Sequence, residues 1–338
     1  MTDKKSTKQR GKMRIVKKLA VATSFLKEDR FEIDKKDDKR TPEFLHFNRE
    51  RDMPIASVVG VDGYMMFPSP QSFDRFKNEG SKTEFLLTDA EGVGLPLFHI
   101  VRENVMERWS PTPTPILYRI YAYEIRASDS VPPYGSYEVV SKNHHFKLYR
   151  RLYCSVSRFD SGGLSQYKMV FENRELEQQK SIYMVHKHDF RDLDTKVLNT
   201  GFRWHVKYSP VITNDHYRLM YMNPQTVSLL DTSEEKAAKK GNEATGKSRY
   251  EAVIGHYSTE RGDLIPKKTV KCADFIVGEQ GSPDSLGLVN VPLLTKVFAC
   301  QSLLIHCIEA FKRRGTSANT IFAYDGLMKS PLDSSWAM

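Results

Sequence analysis

The sequence predicts a mainly β protein, with about a dozen antiparallel strands closed into a barrel around one late, hydrophobic α-helix. Three observations carry this. From about residue 57 apolar and polar residues alternate with a period of two, the mark of strands with one buried and one wet face. Residues 290–315 are apolar on every side of a helical wheel, so that helix needs a wall all round it. Wrapping the sheet around the helix buries both and leaves no open edge.

Residues 1–43 read as a disordered, basic N-terminal arm, too charged and too poor in large apolar groups to join a core. Lys4, Lys5, Lys8, Arg10, Lys12, Arg14, Lys17 and Lys18 stand against one acid, Asp3, within 18 residues. This net +7 of the chain's +9 leaves the rest of the protein near neutral. Between Lys12 and Lys27, Ile15, Val16, Leu19, Phe25 and Leu26 alternate with lysines. A solvated or nuclear-localisation-like arm and a basic amphipathic helix on an anionic surface both fit that pattern, the solvated arm being the simpler.

A single barrel domain is expected over 44–330. Its strands are read at Ser57–Phe67, Glu84–Thr88, Leu95–Val101, Ile116–Arg126, His145–Arg158, Gln166–Glu172, Ser181–Asp189, Asn199–Tyr208, His216–Met222, Thr226–Leu230, Tyr250–Ser258 and Lys268–Val277. The clearest alternations are Phe202, Trp204 and Val206 against Arg203 and His205, and Tyr217, Leu219 and Tyr221 against Arg218 and Met220. Asp160-Ser161-Gly162-Gly163 is a hairpin turn, because its glycines reach positive φ without strain. Residues 231–248 lack large apolar groups and read as a flexible insertion, and 331–338 as a C-terminal tail.

The late helix is punctuated at both ends. Pro292 suits its first turn, while Lys312, Arg313 and Arg314 complement the dipole ahead of a Gly315 cap. Lys296, Gln301, Ser302, His306 and Glu309 interrupt its apolar run, and a charge at membrane depth costs about 2.5–3.5 kcal/mol. It is therefore expected as a core helix, not a transmembrane segment. No apolar leader follows Met1, and Cys154, Cys272, Cys300 and Cys307 show no Cys-x-x-Cys spacing. Reduced thiols in a cytoplasmic protein, peripheral to a membrane or nuclear, are the expectation.

The order of elements resembles the tubby C-terminal-like superfamily of tubby proteins, phospholipid scramblases and LURP-one-related proteins. Gly201-Phe202-Arg203-Trp204, His216-Tyr217-Arg218-Leu219-Met220, the strand Lys268–Val277 and the helix Val291–Arg314 carry the likeness, as in a divergent, fungal-type member. The resemblance implies a 12-stranded barrel threaded by a hydrophobic helix, and phosphoinositide or anionic-lipid binding. No scramblase-like acidic calcium segment stands beside the helix, so lipid scrambling is not implied.

Enzyme chemistry is not expected: there is no Gly-x-Ser-x-Gly, no phosphate loop, no dinucleotide fingerprint and no His-Glu-x-x-His. Nothing in the pattern asks for a cofactor. His186 and His188 share a strand face but lack a third ligand, so no metal is expected. The candidate lipid-headgroup residues are Arg203, Lys207, Arg218, Lys147 and Arg151, cations on strand faces read as solvated, where substitution of Arg203 or Arg218 leaves folding nearly unchanged. A protein partner fits the same surface. Nucleic acid bound by the arm, with Tyr149 and Tyr153 interleaved among Lys147 and Arg151, is the competing reading.

Overall fold

A computed structural model gives the fold. It describes residues 46–316 except 80–85, 89, 104–115, 133–136, 173–175, 177–178, 188–190, 207–215, 241–249, 260–267 and 283. The basic arm with its eight cations, the C-terminal tail, Lys207 and His188 lie outside the described residues.

Thirteen strands join one antiparallel sheet: β1 (Arg49–Val58), β2 (Tyr64–Met66), β3 (Phe98–Arg102), β4 (Ile116–Ala127), β5 (Tyr137–Lys142), β6 (Phe146–Ser161), β7 (Leu164–Phe171), β8 (Ser181–Lys187), β9 (Leu193–Val197), β10 (Thr200–Val206), β11 (His216–Met222), β12 (Tyr250–Thr259) and β13 (Thr269–Glu279). Twelve of them form a ring, because β1 pairs with β13 and β4 pairs with β6; β5 lies outside it, beside β6 alone. The helices are α1 (Pro70–Glu79), α2 (Ser233–Lys240) and α3 (Leu293–Thr316).

The predicted barrel and its threading helix are thus present, with differences in detail. Ser57–Phe67 spans the end of β1, a turn and β2, while residues 86–88 and 226–230 are not strand. Most of β1, all of β5 and β9, and α1 had no counterpart in the sequence reading. The Asp160–Gly163 turn holds: Gly162 (φ 58°) and Gly163 (φ 78°) give the two positive φ angles of a tight hairpin. The insertion is not wholly irregular. Thr232 and Glu235 exchange backbone-to-side-chain hydrogen bonds in a capping box (2.7 and 3.2 Å) that starts α2.

α3 is long and apolar enough to cross a bilayer, yet every residue from Val297 to Cys307 is buried. Three turns without an exposed face require a wall on all sides, and the ring supplies it through Ile55, Ile100, Ile120, Val156, Met184, Phe202, Tyr257 and Phe275. The thiols of Cys154 and Cys300 sit wholly within this core, and burial raises both well above the ordinary cysteine value.

The barrel's outer face is not uniformly wet. Phe73 and Phe76 of α1, with Leu86, Leu87 and Leu95, cover Ala56, Val58, Met65 and Leu148 in a second, outer core. α1 begins at Ser69, whose Oγ accepts the Ser72 N–H (3.1 Å), followed by Pro70 at the first helical position.

An aspartate at Leu304, fully buried on α3, places an unpaired charge in a dry interior at a cost of several kcal/mol. Leu304→Asp is expected to yield insoluble protein. A soluble variant with unchanged melting would contradict the enclosed position of the helix.

Candidate functional site

Thr295, Gln301, His306 and Glu309 of α3 each find a partner on one side of the barrel. Thr295 donates to Glu279 Oε2 (3.0 Å) on β13, and Glu279 in turn accepts from Arg51 Nε (2.8 Å). Gln301 accepts from Trp204 Nε1 and donates to Thr195 Oγ1 (both 2.9 Å), tying the helix to β10 and β9. His306 Nδ1 is hydrogen-bonded to the Tyr257 hydroxyl (2.7 Å) on β12, and Glu309 accepts from the Tyr217 hydroxyl (2.6 Å) on β11. Arg191 and Lys312 also bond Glu309. Burial alone would raise its carboxyl, but the Tyr217 hydroxyl and the charges of Lys312 and Arg191 outweigh that and hold it below the usual glutamate value.

These bonds draw α3 toward the β9–β13 wall. Opposite, at the C-terminal end of the helix, a cleft of about 640 Å³ opens between α3 and β3, β4, β6, β7 and β8. Cross-strand register builds its rim: Arg102 faces Tyr118, Arg158 faces Tyr167, and Asp160, Ser165 and His186 form one row across β6, β7 and β8. Ile116, Leu117, Ile308 and Phe311 supply an apolar wall, and Lys312 closes the helix side. The Arg102 guanidinium lies 5.1 Å from the Phe311 ring centroid, with no carboxylate partner among the described residues. Arg158 donates to Asp160 Oδ1 (3.1 and 3.0 Å) and to Ser165 Oγ (3.3 Å). Ser165 also donates to Asp160 (2.5 Å) and is fully buried.

The profile of the family described as DIA1 covers residues 48–314, from just before β1 to the last turns of α3. The chain belongs to the DIA1 family. Its relatives include the Saccharomyces cerevisiae uncharacterized protein YOR385W, 36% identical over 288 residues that cover 85% of this chain and 95% of the relative. Protein DIA1 of the same yeast is 36% identical over 295 residues, 85% of this chain and 87% of the relative. A third, uncharacterized protein YNL165W, is 27% identical over 303 residues, 80% and 72% respectively. No solved structure matches.

In this DIA1-family barrel the described cations singled out from sequence, Lys147, Arg151, Arg203 and Arg218, are divided between β6 and the β10–β11 pair. Lys147 and Arg151 lie on β6 near its start, away from the cleft; Lys147 faces Arg126 and Lys142, and Arg151 Nε is 3.5 Å from Glu124. Arg203 and Arg218 lie on β10 and β11, Arg218 half-buried opposite His205 and His256. Arg203 is on the outer face as expected, but that face is covered here. Its guanidinium donates from Nε (2.5 Å) and Nη2 (2.8 Å) to Asp194, whose side chain is 1% exposed. Asp194 also accepts from Ser228 Oγ (3.1 Å) and the Leu229 N–H (2.8 Å), holding the 226–231 loop over the strands. The reading of Arg203 as a solvated cation is therefore corrected. His186 stacks on Tyr167 (centroids 6.0 Å), and among the described residues no group of three potential ligands is placed to hold a metal.

The cleft cations went unread, although a signal existed. Arg102 continues the inward row of Phe98 and Ile100, and Arg158 that of Cys154 and Val156, so each is a cation in the apolar register at a strand end.

Breaking a buried ion pair from one side costs about 3–5 kcal/mol. Arg203→Ala is expected to lose stability of that order in urea melts; a change under about 0.5 kcal/mol would return Arg203 to a solvated face.

Two buried imidazoles give a pH dependence. Burial, with the Arg313 charge, lowers His306 to about 3, and burial lowers His99 to about 4 against the pull of the Asp62 carbonyl. An imidazole in the unfolded chain takes its proton near 6.5. Between that value and about 4 the unfolded state binds more protons, so stability falls with pH by up to about 1.4 kcal/mol per unit for each histidine. Glu309, depressed in the fold, acts in the same direction at lower pH. Urea melts between pH 7.5 and 4.5 are expected to show this slope, and His306→Gln to flatten it; a level profile would contradict neutral burial.

Proposed function

We propose that this protein is a non-enzymatic binding protein whose barrel mouth accepts the anionic headgroup of a phospholipid, working in the cytoplasm at a membrane surface. The observation that carries this is the cleft beside α3, where Arg102, Arg158 and Lys312 meet an apolar wall. Charge-assisted hydrogen bonds from guanidinium and ammonium groups are what a phosphate demands, and an adjoining apolar surface suits a lipid better than a free ion. The likeness to tubby-like barrels supports a phosphoinositide as the headgroup, and the +7 of the arm supports attraction to an anionic surface, at about 1 kcal/mol per cation near the membrane. The same arm supports the competing reading, association with nucleic acid in the nucleus.

Sedimentation of the full chain with phosphatidylcholine vesicles, carrying phosphatidylserine or a phosphoinositide at equal charge, tests the proposal beside an RNA and DNA shift at matched salt. Arg102→Ala is expected to weaken vesicle binding about ten- to hundredfold, the worth of one charge-assisted hydrogen bond. Removing residues 1–40 is expected to weaken binding to every anionic vesicle and flatten its salt dependence. Indifference to vesicles together with steeply salt-dependent nucleic-acid binding would favour the competing reading.

A further inference from the structure

We infer that the cleft holds a single-chain anionic amphiphile, its alkyl chain lying between α3 and β4 and its anionic group among Arg102, Arg158 and Lys312. This rests on the mouth being the binding site, and it specifies what enters.

The lining is divided in the way such a molecule requires. Ile116, Leu117 and Ile308 form an apolar flank, and Phe311 extends it to the rim, where it is 55% exposed. A headgroup alone would leave this surface in water. Tyr118 and Tyr167 are buried in the wall at 6% and 3% exposure, and burial raises both phenols, so each hydroxyl stays a neutral donor. Neither hydroxyl has a hydrogen-bond partner among the described residues, which leaves two donors for the oxygens that join chain to head. The volume of about 640 Å³ lies within the range that encloses one small ligand. The cleft also has a structural cause: Gln301, His306 and Glu309 bond Trp204, Thr195, Tyr257 and Tyr217 on β9–β12, on the other side of α3.

Charge complementarity decides the sign of the head. Among the described residues Arg102 has no carboxylate partner, and the one carboxylate lining the cleft, Asp160, is engaged by Arg158 and Ser165. An uncharged or cationic amphiphile would leave Arg102 uncompensated.

Titration calorimetry of the full chain with linear alkyl phosphates from butyl to dodecyl, below their micellar concentrations, tests this, with inorganic phosphate and uncharged dodecyl maltoside as controls. Affinity is expected to rise about two- to fourfold per methylene, with neither control binding comparably. Arg102→Ala is expected to weaken all chain lengths by one common factor. Phe311→Ser, at an exposed position with melting checked, is expected to reduce the gain per methylene and spare butyl phosphate. If butyl and dodecyl phosphate bind equally and both weaken with Arg102→Ala, the chain is not held and this inference falls, while the mouth stands as an anion site. Binding only to two-chain vesicles overturns it in favour of surface docking. If Arg102→Ala alters no arm of the experiment, the mouth itself is the wrong site.

Discussion

The barrel depends on satisfying the polar groups of a helix that has no exposed face over three turns. A buried group left without its partner costs about 1–3 kcal/mol, and more if charged. α3 carries Thr295, Gln301, His306 and Glu309 inside the wall, so losing several partners together would consume most of a domain's net stability. Those partners sit on separate strands: Glu279 on β13, Trp204 and Thr195 on β10 and β9, Tyr257 on β12 and Tyr217 on β11. An apolar helix in an apolar tube can slide and rotate at little cost. Four polar contacts at different heights fix both movements. The groups that spoil α3 as a membrane span are the ones that set its register as a core.

The same asymmetry gives the molecule a side and an end. Hydrogen bonds gather on β9–β13, apolar contact dominates against β3–β8, and the mismatch opens where the helix leaves the ring. Outside, a parallel economy operates. Asp194 is sealed beneath the 226–231 loop by Arg203, and α1 seals Ala56, Val58 and Met65. Two sectors of the outer face are thereby spent on stability.

Elements with a strong period were legible in the sequence, and those whose burial is polar or local were not. α3 was readable to within two residues at either end, because Pro292 opens a long apolar run; the expected cap at Gly315 is instead part of the helix, which runs on to Thr316. β11 was readable because Tyr217, Leu219 and Tyr221 alternate cleanly. β9, Leu-Asp-Thr-Lys-Val, buries Asp194 and Thr195 for hydrogen bonding, so its pattern does not look half-apolar. β1 begins Arg-Glu-Arg-Asp, with Arg51 buried against Glu279, and passes for an exposed segment. β5 is an edge strand with little to bury. The cleft was harder still: Arg102, Arg158 and Lys312 are scattered along the chain and meet only through the order of strands in the ring. Alternation told which face Arg203 occupies, but it cannot tell what another segment lays over that face.

The ring is sealed by β1 against β13, a seam in which Arg49 meets Glu279 across a separation of 230 residues, and the enclosed helix follows both in the chain. A protein made from its N-terminus therefore exposes the wall of its core before the core exists. Strands up to β12 can pair as an open, curved sheet, but the concave side has no apolar partner until α3 has been made. Folding of this kind has high contact order and a long interval in which two unpaired strand edges and a greasy trough face other molecules. The strand outside the ring matters here as well: β5, short, bulged between Val139 and Ser141 and carrying Glu138 and Lys142, is the kind of edge that resists pairing with a neighbour. The greatest area of future interior is made, and still empty, just before the last helix emerges.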